Sequence, residues 1–181
     1  MGRFFDAIPD HLVDWLEEQP IFFVASAPLA GDGHVNVSPK GDDTFRVIDA
    51  TTVAYLDLTG SGAETIAHVR ENGRLTIMFC AFAGKPNIVR LFGRGEAVLP
   101  GQPDFAALVD RFPVKAGTRA VIRLHVEQVG SSCGYSVPFM DLVGPRSTLD
   151  DWSRRKGPEG LDEYRAEKNA TSLDGLPALT D

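Results

Sequence analysis

The sequence predicts a mostly β protein: a small antiparallel barrel with short helices in the gaps between its strands. Three observations support this class. Short apolar or alternating segments have the length and period of strands. Turn signals such as Asp32-Gly33 and Asn72-Gly73 separate the segments. The chain has 181 residues, which is enough for one domain whose core needs no disulfide or metal.

The first half of the chain alternates between strand patterns and breakers. Asp10 is placed to cap a short helix that Pro20 ends. The segment 21–25 reads as a buried strand, and 34–38 alternates as a half-buried strand does. The following Pro39-Lys40-Gly41 is expected to break that strand. Two further strands are predicted at 45–48 and 53–58.

The second half begins with a loop, Thr59-Gly60-Ser61-Gly62, that opens a helix ending near Glu71. Ser61 and Glu64 have the spacing of a capping box, in which each side chain serves a free backbone N–H of the first turn. After the helix, 75–82 and 88–99 form the clearest predicted hairpin. A short helix at 103–109 and a long alternating strand at 119–129 complete the pattern.

After the last predicted strand, the alternating strand pattern gives way to a loop rich in Gly, Ser and Pro and then to helix patterns. We therefore divide the chain into a barrel domain, 1–130, and a C-terminal loop with a helical arm, 131–181. Helices are predicted at 148–156 and 158–168, carrying Trp152 and Tyr164. A lone helix with one large aromatic needs a surface to bury it, so we expect the arm to pack over a mouth of the barrel.

Composition narrows the classes of function. The net charge of −7 argues against a nucleic-acid partner held by bulk charge. No apolar run has the length of a membrane span or a signal peptide, and two cysteines imply no disulfide framework. We expect a cytoplasmic protein. Cys133 lies in a polar loop without a base beside it, which favours an inert thiol over a reactive one.

Two segments are candidates for an anion site. The helix start at 59–65 offers backbone N–H groups and the hydroxyls of Thr59, Ser61 and Thr65, although a well-capped helix is the commoner meaning of this pattern. Arg90 and Arg94 share one face of a strand, which suits a phosphate or simply a solvated face. Gly93 and Gly95 inside that strand indicate a bulge or a close approach. Lys40, in the short loop 38–41, offers a further cation to such a site. The alternative is that it is an ordinary turn lysine.

Taken in order, these segments resemble the pyridoxamine 5′-phosphate oxidase-like superfamily, the FMN-binding split barrels. The resemblance covers 34–98, and the sequences that carry it are VNVSPKG at 35–41, VAYLDLTGSG at 53–62, ENGRLTIMF at 71–79 and VRLFGRGEA at 89–97. It implies a six-stranded split barrel that works as a homodimer, with flavin in a groove between subunits. It places a set of residues around that flavin: Ser38 and Lys40 beside it, Asp57, Leu58 and Thr59 along its edge, Thr65 near its phosphate, and Arg90 or Arg94 near the same site.

The chain departs from that family at the helix start, where the characterised oxidases carry an Arg-Lys pair and this chain has Gly62-Ala63-Glu64-Thr65. The oxidases' C-terminal substrate-binding segment is also not evident. The resemblance implies an FMN-dependent oxidoreductase acting on an unknown small molecule, with FAD and a deazaflavin as open alternatives for the cofactor. No side-chain acid or base is obligatory for hydride transfer, so no catalytic residue is named. The alternatives are a non-catalytic flavin- or haem-binding module and a structural dimer with a vestigial pocket.

Overall fold

The computed structural model describes residues 2–180 as one antiparallel sheet with four helices around it. The elements follow the chain in the order β1 (Arg3–Phe5), α1 (Asp10–Glu17), β2 (Ile21–Ser26), β3 (Asn36–Gly41), β4 (Phe45–Asp49), β5 (Thr52–Leu58), α2 (Glu64–Glu71), β6 (Arg74–Cys80), β7 (Ile88–Val98), α3 (Phe105–Val109), β8 (Thr118–Ser132) and α4 (Thr148–Lys168). None of the helices within 2–180 combines the length and apolar character that crossing a bilayer requires.

The strands lie in the order β3-β2-β6-β7-β8-β5-β4, and β1 pairs with β8 outside this path. All of these pairings are antiparallel. The sheet curls around a core in which Phe22, Phe45 and Phe79 pack against each other with ring centroids 4.8 to 5.6 Å apart. The predicted mostly β split-barrel fold is therefore confirmed.

The strand count and one boundary differ from the sequence prediction. The sheet has eight strands in the described part of the chain, where six were expected, partly because the short N-terminal β1 adds to β8. The predicted break at Pro39 is wrong, since β3 continues through Pro39 and Lys40 to Gly41. Proline lacks an N–H but is tolerated on an edge strand, and in residues 2–180 β3 pairs with β2 alone.

Gly93 marks a bulge, as predicted from the glycines of β7. The register between β7 and β8 shifts between Phe92 and Gly93. A Cβ at Gly93 would lie 2.0 Å from the carbonyl oxygen of His125, so no larger residue fits without moving the backbone. The bulge lets the long strands β7 and β8 bend around the core.

The C-terminal arm is bent and tied to the barrel. α4 consists of two helical segments that meet at Gly157, whose φ of 68° interrupts the helix immediately before Pro158. The break agrees with the sequence, which predicted separate helices at 148–156 and 158–168. Trp152 and Tyr164 pack edge to face across this bend at 5.1 Å, so each covers the other. After α4, Asn169 and Ala178 are fully buried, and Ala178 belongs to the main core.

Candidate functional site

The edge strands of the sheet are β3 and β4. Because β4 pairs with β5 only as far as Tyr55, the last residues of β5 extend past β4, and the split of the barrel lies between them and β3. One ion pair bridges it: Nζ of Lys40 on β3 lies 2.9 Å from Oδ1 of Asp57 on β5. The alternation of β3 sends Asn36, Ser38 and Lys40 to the same side, toward this split. The Lys40 side chain keeps 21% of its surface exposed, so its ammonium group can still reach a ligand in the groove.

Asp57 is buried and holds two cations. Its second oxygen, Oδ2, accepts from Nε of Arg119 at 2.7 Å, and both side chains are at most 5% exposed. Burial alone would raise the pKa of the Asp57 carboxyl, but Lys40 and Arg119 more than offset it and hold the pKa below its ordinary value. Asp57 is therefore ionised at neutral pH, and the three groups together carry one net positive charge.

Arg119 extends this network to the C-terminal segment. Its Nη1 donates to Oδ1 of Asn169 at 2.8 Å, and its Nη2 donates to the carbonyl oxygen of Gly62 at 2.8 Å. Asn169 in turn donates from Nδ2 to the carbonyl oxygen of Gly60 at 3.0 Å. The loop before α2 is thus held from behind by a buried guanidinium and a buried amide.

The wall of the groove near the start of α2 is polar. Nδ2 of Asn36 donates to Oγ1 of Thr65 at 3.2 Å, and Oγ of Ser38 donates to Oδ1 of Asn36 at 3.2 Å. The Tyr55 hydroxyl is fully buried and lies next to the Thr65 side chain. Burial raises the pKa of the Tyr55 phenol well above its ordinary value, so the group stays protonated and remains a donor.

The predicted phosphate loop is already engaged by its own chain. Thr59 is fully buried; its hydroxyl donates to the carbonyl oxygen of Gly117 at 2.8 Å and accepts from Nε of Arg165 in α4 at 2.9 Å. Leu58 is half-buried, and Ser61 is exposed. Of the loop's predicted donors, the Thr59 hydroxyl is therefore unavailable to a ligand while α4 stays in place.

The predicted capping box is not formed. α2 begins at Glu64, and its N-cap residue, Ala63, makes no side-chain cap hydrogen bond. The Glu64 carboxylate instead lies over Gly62 and accepts the backbone N–H of Leu173 at 3.2 Å. The Glu64 carboxylate therefore bonds the C-terminal segment, whereas the local sequence pattern predicted a bond to the backbone of Ser61.

The two strand arginines lie apart from the groove within one chain. Arg94 donates to the carbonyl oxygen of Asn72, at the C-terminal end of α2 and so about 12 Å from the start of that helix. Arg90 pairs in register with Gly130 near one end of β8, whereas Asp57 pairs with Ala120 near the other. The structure thus brings Ser38, Lys40, Asp57 and Thr65 together, and leaves Arg90 and Arg94 elsewhere.

The sequence prediction missed Arg119, Arg165 and Asn169. The sequence pattern placed Arg119 only as the first residue of a predicted strand, and its apolar neighbours did not indicate that its charge would be buried. Arg165 and Asn169 are more than 100 residues from the loop that they contact, at 106 and 109 positions. No local pattern carries that information.

The groove residues fit a flavin with an anionic tail better than the loop does. Lys40 supplies a full charge, while Ser38, Asn36 and Thr65 supply short polar groups on rigid elements. The loop 59–62, by contrast, has its Thr59 hydroxyl and the Gly60 carbonyl group bonded by the arm, and the Gly62 carbonyl group bonded by Arg119 of β8.

The fold and the site together define the class of protein, which is an antiparallel split barrel with a cationic groove at the split. The family model described as pyridoxamine 5′-phosphate oxidase matches residues 8–133. The chain belongs to the pyridoxamine 5′-phosphate oxidase family. A curated relative, the pyridoxamine 5′-phosphate oxidase family protein ustO of Aspergillus flavus, is 44% identical over 198 aligned positions, covering 99% of this chain and 78% of the relative.

Solved structures share the fold at low sequence identity. HupZ of group A Streptococcus superposes with a TM-score of 0.51 at 23% identity, covering 67% of this chain and 91% of HupZ. A protein from Lactobacillus delbrueckii superposes with a TM-score of 0.52 at 16% identity, covering 69% of this chain and 94% of that protein. These similarities extend to the barrel architecture, and the arguments about the site rest on this chain's own residues.

Proposed function

We propose that this protein is an FMN-dependent oxidoreductase acting on a small molecule, with the flavin bound in the groove between β3 and β5. The observation that carries the proposal is the partly exposed Lys40 side chain, whose ammonium group is held at the rim of the groove by the buried Asp57. A lysine held this way offers its remaining N–H donors to an anion without the entropy loss of ordering a free side chain. Membership of the oxidase family supports flavin as the occupant.

In this proposal the protein binds and orients the cofactor. Lys40 holds the phosphate group, with Ser38 and Thr65 as hydroxyl partners. The bound flavin supplies the hydride and electron transfer when present, and the chain's residues supply position and a dry wall. Asp57 does not act on the substrate, because both of its oxygens are occupied by cations.

The second copy in the proposed homodimer packs on the outer face of β3, β2, β6 and β7. Paired residues across these strands place apolar side chains side by side on that face: Val37 beside Ala25, and Phe23 beside Met78. These side chains are half-buried or exposed, unlike their neighbours on the inner face. Arg90 is the cross-strand neighbour of Met78 on the same face, so it points toward the second copy and away from its own groove.

A second exposed apolar surface adjoins that face. We call residues 134–146 the strap; it leaves the end of β8 and is fastened to the β6–β7 turn through the Met140 N–H and the carbonyl oxygen of Phe82. Tyr135 and Phe139 in the strap are each 83% exposed. Two such aromatics expose on the order of 300 Å² together, and Met140, Leu142 and Val143 add more. That area is within the range of the largest apolar patch of a typical monomer, a patch that often serves as an interaction surface, and it supports burial against a second copy.

A non-catalytic flavin- or haem-binding module is the second candidate. The observation that favours it is that Lys40 and Asp57 are held in one ion pair, so neither side chain is free to exchange a proton with a substrate. Bound flavin that is reduced by NADH or NADPH and reoxidised by an acceptor supports the enzyme. Bound flavin that neither donor reduces supports the binding module. A cytoplasmic location is part of the proposal, and the two free cysteines, Cys80 and Cys133, agree with a reducing compartment.

The test of the proposed function is the visible spectrum of the freshly purified protein, followed by mass identification of whatever heat releases. FMN absorbance and an FMN mass are the expected results. Haem bands point to the second candidate. A colourless protein that takes up neither added FMN nor haem overturns both and leaves a structural dimer.

A further inference from the structure

Asn169 occupies an unusual position for a residue at the end of a helix. It is the C-cap of α4 and is fully buried. Its side chain makes two hydrogen bonds, both to the barrel: Oδ1 accepts from Arg119 at 2.8 Å and Nδ2 donates to the carbonyl oxygen of Gly60 at 3.0 Å. An amide that only ended the helix would not need both of these long-range partners.

Asn169 begins a continuous series of polar contacts that ends at the groove. Nη1 of Arg119 donates to Oδ1 of Asn169, and Nε of Arg119 donates to Oδ2 of Asp57 at 2.7 Å. The other oxygen of Asp57 receives Nζ of Lys40 at 2.9 Å. Arg119 and Asp57 are both buried, so these contacts are little screened by solvent.

The charges in this series explain why Lys40 is attractive to an anion. A Lys40–Asp57 pair alone would be neutral, and the carboxylate would repel an approaching phosphate. Arg119 neutralises Asp57 from behind, so the Lys40 charge is left uncompensated at the groove. This works only while the Arg119 fork faces Asp57, and Asn169 together with the carbonyl oxygen of Gly62 fixes that orientation.

We propose that Asn169 is a positioning residue of the anion site: by fixing Arg119 against Asp57, it leaves the charge of Lys40 free for the phosphate group of the ligand. The C-terminal segment is then part of the binding site, although it touches no ligand itself. The role of the phosphate rests on the proposed function, whereas the fixing of Arg119 against Asp57 is a property of the protein alone. Arg119 and Lys40 thereby take over the task of the Arg-Lys pair that the start of α2 lacks.

The experiment compares Asn169→Ala and Asn169→Asp with the wild type. Asn169→Asp keeps the size of the side chain and still bonds Arg119, but it adds a carboxylate that competes with Asp57. The matched control is Asn72→Ala, because Asn72 is the C-cap of α2 and also bonds a backbone carbonyl, that of Ala27 at 2.9 Å, outside this series. Two quantities are measured: the dissociation constants of FMN and riboflavin, and the pKa of Asp57 by carbon NMR of the labelled carboxyl.

Both Asn169 variants are expected to raise the FMN dissociation constant by about tenfold or more, the size of a lost charge-assisted hydrogen bond, with less than about a twofold change for riboflavin. The pKa of Asp57 is expected to rise in both, since burial then prevails over a weakened Arg119 contact. Asn72→Ala is expected to change neither quantity.

An unchanged Asp57 pKa in folded Asn169 variants overturns the positioning role, and so does an equal loss of FMN and riboflavin. If the wild type binds no flavin at all, the proposed function fails. The Asp57 titration in the flavin-free protein then decides the positioning role by itself, because that measurement needs no cofactor.

Discussion

Nε of Arg119 lies 2.7 Å from Oδ2 of Asp57, and this buried contact joins the start of the longest strand to the strand at the split of the barrel. Asp57 is 1% exposed and Arg119 is 5% exposed. A carboxylate at this depth is tolerated because two cations pair with it and offset the cost of removing it from water. We expect both the stability of the barrel and the charge of the groove to depend on this contact.

Arg119→Met is expected to lower the free energy of unfolding by about 3–5 kcal/mol, because it leaves the buried Asp57 with Lys40 as its single ionic partner. Urea unfolding followed by circular dichroism measures the loss. The matched control is Arg123→Met on the same strand, whose partners Glu96 and Asp104 are 44% and 58% exposed. That change is expected to cost less than about 1 kcal/mol. Equal losses in the two variants would show that the buried pair has no special role.

Lys40→Met is expected to weaken FMN binding by about 10- to 100-fold and to leave riboflavin binding nearly unchanged, since only the phosphate loses its cation. Fluorescence titration of the two flavins measures the difference. Glu64→Gln serves as the control, because its Oε1 can still accept the N–H of Leu173 and it only removes a negative charge at the helix start. FMN binding should stay equal or improve in that variant. A wild type that does not prefer FMN over riboflavin contradicts the phosphate site.

The stability of the protein is expected to fall as the pH drops below about 6.5, through His68. This side chain is fully buried; its Nδ1 lies 3.0 Å from Oγ of Ser26, and its Nε2 has no partner among the described residues. Burial lowers the pKa of His68 below the ordinary value of 6.5, so the native state stays neutral where the unfolded chain takes up a proton. The slope contributed by this one group is at most about 1.4 kcal/mol per pH unit.

Urea unfolding at pH values from 7.5 to 5, chosen to bracket about 6.5, measures this slope for the wild type and for His68→Gln. The variant should be less stable at pH 7.5 but should lose less on acidification. His34, which is exposed and paired with Asp174, is a useful comparison, because that carboxylate raises the pKa of His34 and its contribution has the opposite sign. An unchanged slope in His68→Gln would show that another group titrates in this range.

Replacing Met140 and Leu142 together by serine is expected to shift the protein from dimer to monomer at micromolar concentration, because it removes exposed apolar surface of the strap. Sedimentation velocity measures the shift. Val114→Ser is the control, since Val114 is 97% exposed but lies outside both the strap and the outer sheet face. If the wild type already sediments as a monomer over the whole concentration range, the homodimer proposal is wrong.

The sequence alone determined the local architecture, because strand alternation, hairpin turns and helix breakers act over a few residues. It predicted the β6–β7 hairpin, the bulge at Gly93, and the bend of α4 at Gly157, since each depends on backbone properties of the residues concerned. It also named Lys40 and Asp57 as cofactor-binding residues through resemblance to a family, which remains a prediction, and it did not show that the two side chains touch.

The tertiary structure decided which polar groups meet. Glu64 has the spacing of a capping box, but Leu173 takes its carboxylate from more than 100 residues away. Thr59 has the type and position of a phosphate ligand, but Arg165 and Gly117 bury it. The physical reason is that a buried charge or hydroxyl must find a partner wherever the fold provides one, and periodicity specifies only the face on which a side chain lies. The cationic groove is therefore a product of the whole fold, including the C-terminal arm.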